Sequence, residues 1–179
     1  MDSRSYAVLT GIGADRVGIV DDLSAAIEQL HGGISDSRMV VLGGEFAIVA
    51  LLTASPDEIS EILERTDEIA AKTSLKIEAK PTGPPAHIAE GRPYVVESVS
   101  LDAPGIVHAV SAVLHEFGIN IEDLETDLTA APWTGAPMFH MLAHILVPKT
   151  AAIADLRDRL TRLEHDRDLD IQLKPVSPA

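Results

Sequence analysis

The sequence predicts an α+β protein made of two copies of one small unit, each a four-stranded antiparallel sheet with helices on one face. Three observations predict it. The chain repeats itself: Asp15-Arg16-Val17-Gly18-Ile19-Val20 and Asp102-Ala103-Pro104-Gly105-Ile106-Val107 spell one phrase, Asp-x-x-Gly-Ile-Val, 87 residues apart. The residues after each phrase also match, with Leu23, Ile27 and Leu30 falling where Val110, Leu114 and Phe117 fall, and Ile34 and Asp36 where Ile121 and Asp123 fall. A period this long, beyond that of any solenoid, points to a duplicated domain. In both copies the hydrophobic period also changes in the same order, strand, helix, strand, strand, helix, strand.

Tyr6 to Ile12 is an apolar, β-compatible run ending in Gly11-Ile12-Gly13. From Val20 the apolar residues fall at 20, 23, 27 and 30, a helical spacing, and the helix stops at His31-Gly32-Gly33. Ile34–Leu42 and Glu45–Leu52 flank Gly43-Gly44, a hairpin signal. Ser55-Pro56-Asp57-Glu58 opens a second helix. Ser55 suits the N-cap, Pro56 the first helical position, and Glu58 completes a capping box. Ile59, Ile62, Leu63, Ile69 and Ala70 line its inner face, and Leu75–Lys80 closes the unit as a strand.

The second copy reads the same way: a strand over Tyr94–Leu101, a helix carrying Val107, Val110, Leu114 and Phe117, and strands over Ile119–Leu128 and Met138–Val147. A helix with Ile153, Leu156, Leu160 and Leu163 and a strand over Leu169–Lys174 complete it. The expected domains are 1–80 and 94–179, joined by a proline-rich linker, 81–93, that holds 4 of the 11 prolines and is stiffened toward polyproline geometry. This element order is the ferredoxin-like split βαβ pattern. Phe46–Leu52 is apolar at both parities, so that strand is greasy on both faces and something must cover the open one, either the other domain or a second chain. A homodimer or higher oligomer is expected on that ground.

Composition bounds the function. A net charge of −14 argues against direct nucleic-acid binding, which needs a basic surface to displace counterions. Arg157, Arg159, Arg162 and Arg167 are interleaved with Asp155, Asp158, Glu164, Asp166 and Asp168, the pattern of a solvated helix face. The absence of cysteine removes disulfides, cysteine-based zinc sites and thiol catalysis. Met1-Asp2-Ser3-Arg4-Ser5 lacks an apolar signal core, and no run approaches a membrane span, so a cytoplasmic protein without membrane contact is expected.

The shared phrase joins a strand to a helix through a glycine, which makes it the place to look for a site. A glycine allows close backbone approach, and the amides of Gly105, Ile106 and Val107 can face a carboxylate at the helix start. Asn120, expected across the groove, offers a side-chain carbonyl to an ammonium group. The competing reading is structural: Asp102 caps the helix and Gly105 permits tight strand–helix contact.

Asp102-x-Pro104-Gly105-Ile106-Val107 followed, one helix later, by Gly118-Ile119-Asn120-Ile121-x-Asp123 resembles the ACT domain, a small module that senses amino acids. Two such domains over nearly the whole chain resemble the glycine cleavage system transcriptional repressor family. The resemblance implies a ligand site formed by the glycine turn and the start of the second strand, usually at a domain–domain interface. It places candidates at Asp102, Gly105, Ile106, Val107, Asn120 and Ile121 in the second copy, and at Asp15, Gly18, Ile19, Val20, Ser35 and Asp36 in the first. The first copy departs at Val17, which replaces the proline, and at Gly33, which replaces the asparagine. Only Ser35 or Asp36 is then left to meet an ammonium group, so the second copy is expected to hold the stronger site.

Other chemistry is thinly represented. His140 and His144 share one strand face, and His108 and His115 nearly align on a helix, but a metal needs a third ligand and supporting partners, and no metal or cofactor is expected. His140 and His144 fit interface or pH-sensitive contacts on the open sheet face. No nucleophile–base pair or paired-carboxylate motif stands out. Trp133, in the longer loop that replaces Gly43-Gly44, is expected to pack the loop; exposed, it would mark a partner contact. The resulting expectation is a non-enzymatic amino-acid-responsive regulator, with glycine or serine as ligand. It would act on transcription through a protein partner such as a transcription factor. Alternatives are a regulatory subunit of an amino-acid metabolic enzyme and a metal-dependent enzyme using the histidines.

Overall fold

A computed structural model of the chain describes residues 4–84 and 90–176. It divides into two compact units, Met1–Ala86 and His87–Ala179. The first contains β1 (Ser5–Ala14), α1 (Ile19–Glu28), β2 (Gly33–Leu42), β3 (Glu45–Ala54), α2 (Pro56–Glu64), α3 (Thr66–Thr73) and β4 (Lys76–Thr82). The second contains β5 (Gly91–Leu101), α4 (Ile106–Glu116), β6 (Asn120–Ala130), β7 (Pro137–Pro148), α5 (Ile153–Arg167) and β8 (Asp170–Pro175). The strand orders are β2-β3-β1-β4 and β6-β7-β5-β8, antiparallel throughout, so the expected ferredoxin-like architecture is present twice.

Alternation along the central strands decides which face receives the helices. In β3, Phe46, Ile48, Ala50 and Leu52 are buried and pack with Leu23, Ile27, Ile59, Ile62 and Ile69. In β7, Met141, Ala143, Ile145 and Val147 do the same against Val110, Leu114, Leu156 and Leu160. Gly43 and Gly44, at φ 60° and 85°, close the β2–β3 hairpin with the two positive angles a tight turn needs. Ser55 and Glu58 form the capping box: the Ser55 hydroxyl accepts from the Glu58 N–H, and Glu58 Oε2 accepts from the Ser55 N–H at 2.8 Å.

Three features differ from the sequence expectation. The second helix of the first unit is broken at Arg65 (φ −106°, ψ 22°), with Ile62 and Ile69 buried on either side of the break. Arg65 spans the junction with ion pairs to Glu61 and Glu68, both at 2.6 Å. Helix α1 ends through His31 in the left-handed region (φ 57°), not through Gly32 or Gly33. The stretch 81–93 is partly sheet: Pro81 and Thr82 lie in β4, and Gly91, Arg92 and Pro93 open β5. Pro81 is tolerated because β4 is an edge strand. Of the linker expectation, residues 85–89 lie outside the described residues, as do Met1, Asp2 and Ser3.

The open faces of the two sheets are unlike. In the first unit Ile12, Val40 and Val49 are about half exposed there, which leaves the greasy face bare within its own unit. In the second, register puts Asp123, Glu125 and Asp127 of β6 beside His144, Leu142 and His140 of β7, so that face is acidic and histidine-bearing.

Candidate functional site

The two glycine turns have nearly the same geometry. Gly18 (φ 86°, ψ 0°) is the N-cap of α1 and Gly105 (φ 88°, ψ 11°) the N-cap of α4, and neither helix start receives a side-chain cap. A residue with a Cβ pays for this left-handed conformation, which is why glycine stands at both. The first helical hydrogen bonds run from the Asp22 N–H to the Gly18 carbonyl and from the Ala109 N–H to the Gly105 carbonyl, each 2.9 Å. The amides of Ile19, Val20 and Asp21, and of Ile106, Val107 and His108, therefore precede the helical ladder and find no backbone acceptor among the described residues. These are the donors a carboxylate needs.

Asp102 does not cap α4, contrary to the structural reading of that residue. Its N–H donates to the Pro137 carbonyl at 3.0 Å, and the Asp15 N–H donates to the Gly44 carbonyl at 2.9 Å. Each aspartate thus ties its turn to the start of the neighbouring strand through the backbone. Among the described residues neither carboxylate is engaged in a side-chain hydrogen bond or ion pair. Arg16 is already committed: Nη2 pairs with Asp22 at 2.5 Å and donates to the Thr73 carbonyl at 3.1 Å.

A cavity of about 350 Å³ opens at the first turn, between Asp15, Gly18, Ile19 and Val20 on one side and Met39, Val40, Val41 and Phe46 on the other. No spacing or motif marks it in the sequence, because its far wall comes from the late part of β2. A second cavity, about 340 Å³, lies on the open face of the second sheet, lined by Glu97, Val99, Glu125, Asp127, His140 and Leu142. There His140 Nε2 is 2.8 Å from Thr129 Oγ1.

The remaining sequence candidates sit elsewhere. Asn120 is opposite Leu146, whereas Leu101, just before the Gly105 turn, is opposite Met138. Eight residues of β7 separate the two levels, roughly 26 Å at 3.3 Å per residue. Within the second unit, then, Asn120 and Ile121 do not face Gly105 across a groove; the helix has carried the chain back to the other end of the sheet. Ser35 and Asp36 stand likewise at the far end of the first sheet from Gly18, at a register shift between Ile34 and Asp36. The Ser35 hydroxyl donates to the Leu51 carbonyl at 3.1 Å, and Asp36 makes an exposed ion pair with Arg38 at 2.9 Å.

His108 and His115 are exposed on α4. Among the described residues no three His, Asp or Glu side chains are grouped to hold a metal ion, and no helix is long and apolar enough to cross a membrane. Trp133 does not pack its loop: it is 97% exposed.

Known proteins share the fold. The ACT domain family matches residues 5–80, the copy whose motif is the looser of the two. The glycine cleavage system transcriptional repressor of Escherichia coli (strain K12) is 28% identical over 168 residues, covering 91% of this chain and 86% of that protein, and the repressor of Shigella flexneri matches to the same extent. A crystal structure from Galdieria sulphuraria, of a protein without a functional name, superposes with a TM-score of 0.83 at 29% identity, over 98% of this chain and 100% of that one. A crystal structure of a candidate glycine cleavage system transcriptional repressor, 21% identical, shares the fold with a TM-score of 0.73 over 98% of this chain and 99% of its own. Residues 5–80 match the ACT domain, the same fold recurs in the second unit, and the chain as a whole is similar to the glycine cleavage system transcriptional repressors.

Proposed function

We propose that this chain is a non-enzymatic regulator that binds a small amino acid at its glycine turns and passes the bound state to a protein partner. One observation carries the reading: two turns hold glycine in the left-handed region and leave a helix start uncapped, each beside an unengaged aspartate. The free amides suit an α-carboxylate, and Asp15 or Asp102 suits the α-ammonium group. Ligand binding shifts the equilibrium between packing states only as far as it discriminates between them.

The likeness to repressors of the glycine cleavage system supports control of transcription, in the cytoplasm, with glycine or serine as the first ligands to try. The net charge of −14 supports action through a DNA-binding protein and not on DNA itself. The bare apolar face of the first sheet supports a homodimer or higher oligomer.

A thermal-shift screen of the twenty amino acids tests the binding step. A ligand at a hundred times its Kd adds about 2.7 kcal/mol to the native state. Co-purification tests the partner: a transcription factor supports the proposal, and recovery of an amino-acid metabolic enzyme replaces it with a regulatory-subunit role.

A further inference from the structure

Met39 and Val41 lie on the helix-bearing side of the first sheet, since their partners across the ladder, Ile48 and Phe46, are buried. Apolar side chains on that side belong to the core, yet Met39 is 61% and Val41 50% exposed. They stay wet because β2 is an edge strand and the cavity at the Gly18 turn separates them from the start of α1. Val20 on the facing wall is also exposed, and Phe46 forms the base. The result is a hole of about 350 Å³ with apolar walls and a polar mouth formed by Asp15, Arg16 and Asp21. That volume is at the small end of ligand pockets, which span roughly 300–1,000 Å³.

Resting on the amino-acid-binding reading above, we infer that the first unit selects an amino acid with an apolar side chain, through Met39 and Val41. Glycine brings nothing to cover these walls, so their apolar surface stays in water. Serine brings a hydroxyl that loses its water and finds only the weak thioether acceptor of Met39 among the Val20, Met39 and Val41 side chains. Leucine, valine or methionine covers the walls, while its carboxylate and ammonium groups meet the Ile19–Asp21 amides and Asp15. The selection belongs to the first unit. At the equivalent rungs of the second sheet, opposite Met141 and Phe139, stand Thr126 and Leu128.

Calorimetric titration of the full chain with glycine, serine, valine, leucine and methionine tests this, alongside the variants Met39→Asp, Val41→Thr and Met39→Leu. Both positions are exposed on an edge strand, and circular dichroism checks that each variant folds; Val41→Thr keeps the shape and adds only a hydroxyl. The expected result is an apolar amino acid bound at least tenfold tighter than glycine, since a single methylene in an apolar pocket is worth about 10–200-fold. Met39→Asp should weaken it tenfold or more, Val41→Thr severalfold, and Met39→Leu should retain it. Glycine or serine binding as tightly as leucine, or leucine affinity indifferent to Met39→Asp and Val41→Thr, overturns the inference and leaves the amino-acid reading standing. No binding by any of the twenty amino acids overturns both. Loss of leucine binding in folded Gly105→Ala but not in folded Gly18→Ala overturns the assignment to the first unit.

Discussion

Replacing Gly105 with alanine tests the backbone geometry on which the site depends. Gly105 sits at φ +88°, and an added Cβ would have Arg167 Nη1, at 3.9 Å, as its nearest heavy atom. There is no clash to relieve, so the cost comes from the left-handed conformation alone, about 1–2 kcal/mol for an L-residue. For a domain of 60–100 residues each kcal/mol moves Tm by about 4–8 °C, which puts the expected drop at roughly 5–15 °C. Gly18→Ala should behave alike, with its Cβ 4.0 Å from Arg16 Nη1 at φ +86°. Gly33→Ala is the control: it lies outside the left-handed region, its Cβ would rest 3.5 Å from the Thr53 carbonyl oxygen, and it should be nearly neutral. Thermal melts followed by circular dichroism measure all three. A Gly105→Ala protein that melts with the parent would show that the turn does not hold this conformation in solution, and the row of free amides would lose its basis.

Ser55→Ala should cost about 1 kcal/mol in urea unfolding, the usual worth of a serine N-cap. The capping box also sets a pH dependence. Hydrogen bonds from the Ser55 hydroxyl and then the Ser55 amide hold the Glu58 carboxyl below the ordinary carboxylate range. Its stabilisation is therefore complete above the unfolded-state value and lost as pH falls through the lower folded-state one. The stability gap between the parent and Glu58→Gln should be full at pH 7 and close below about pH 4; a gap that does not change with pH contradicts this. The isolated protein should give no sequence-selective gel shift at physiological salt, given its charge of −14, and a selective shift would reopen the partner-protein proposal. Light scattering should return a dimer or larger species, and a monomer across micromolar concentrations would remove the oligomer from the proposal.

Much of the fold was legible because it depends on local periodicity. Spacing at Leu23, Ile27 and Leu30 marks a helix, Gly43-Gly44 marks a hairpin, and Ser55-Pro56-Asp57-Glu58 marks a cap, each through short-range physics. The site was legible only at its turns. Gly105 and Asn120 are 15 residues apart in sequence and belong to one motif, but α4 runs back along the sheet between them, so they end at opposite ends. Spacing says which face a residue shares, not which end. The cavity was hidden for a related reason: Met39 and Val41 read as ordinary alternating strand residues, and only the strand order shows that they flank an uncovered edge. The break at Arg65 was missed because Ile62 and Ile69, seven apart, also fit an unbroken helix.

The two copies have drifted apart around the turn far more than at it. Gly11 and Gly13 of β1 stand where Ser98 and Ser100 stand in β5. Leu75 and Ile77 pack closely on the glycines, and the two serine hydroxyls are buried without a partner. A broken α2–α3 pair answers a single α5, and a two-glycine turn answers a loop with an exposed tryptophan. Through these changes the glycine turn keeps its φ within 2°, its 2.9 Å first helical bond and its aspartate tie to the next strand. Crowding does not demand a glycine at either turn, because nothing but the tip of an arginine comes within 4 Å of where a Cβ would stand; the left-handed φ does. A left-handed, uncapped helix start costs stability that a serine or aspartate cap would recover. The turn kept in both copies leaves a row of free amides at the helix start, the geometry on which the proposed site rests.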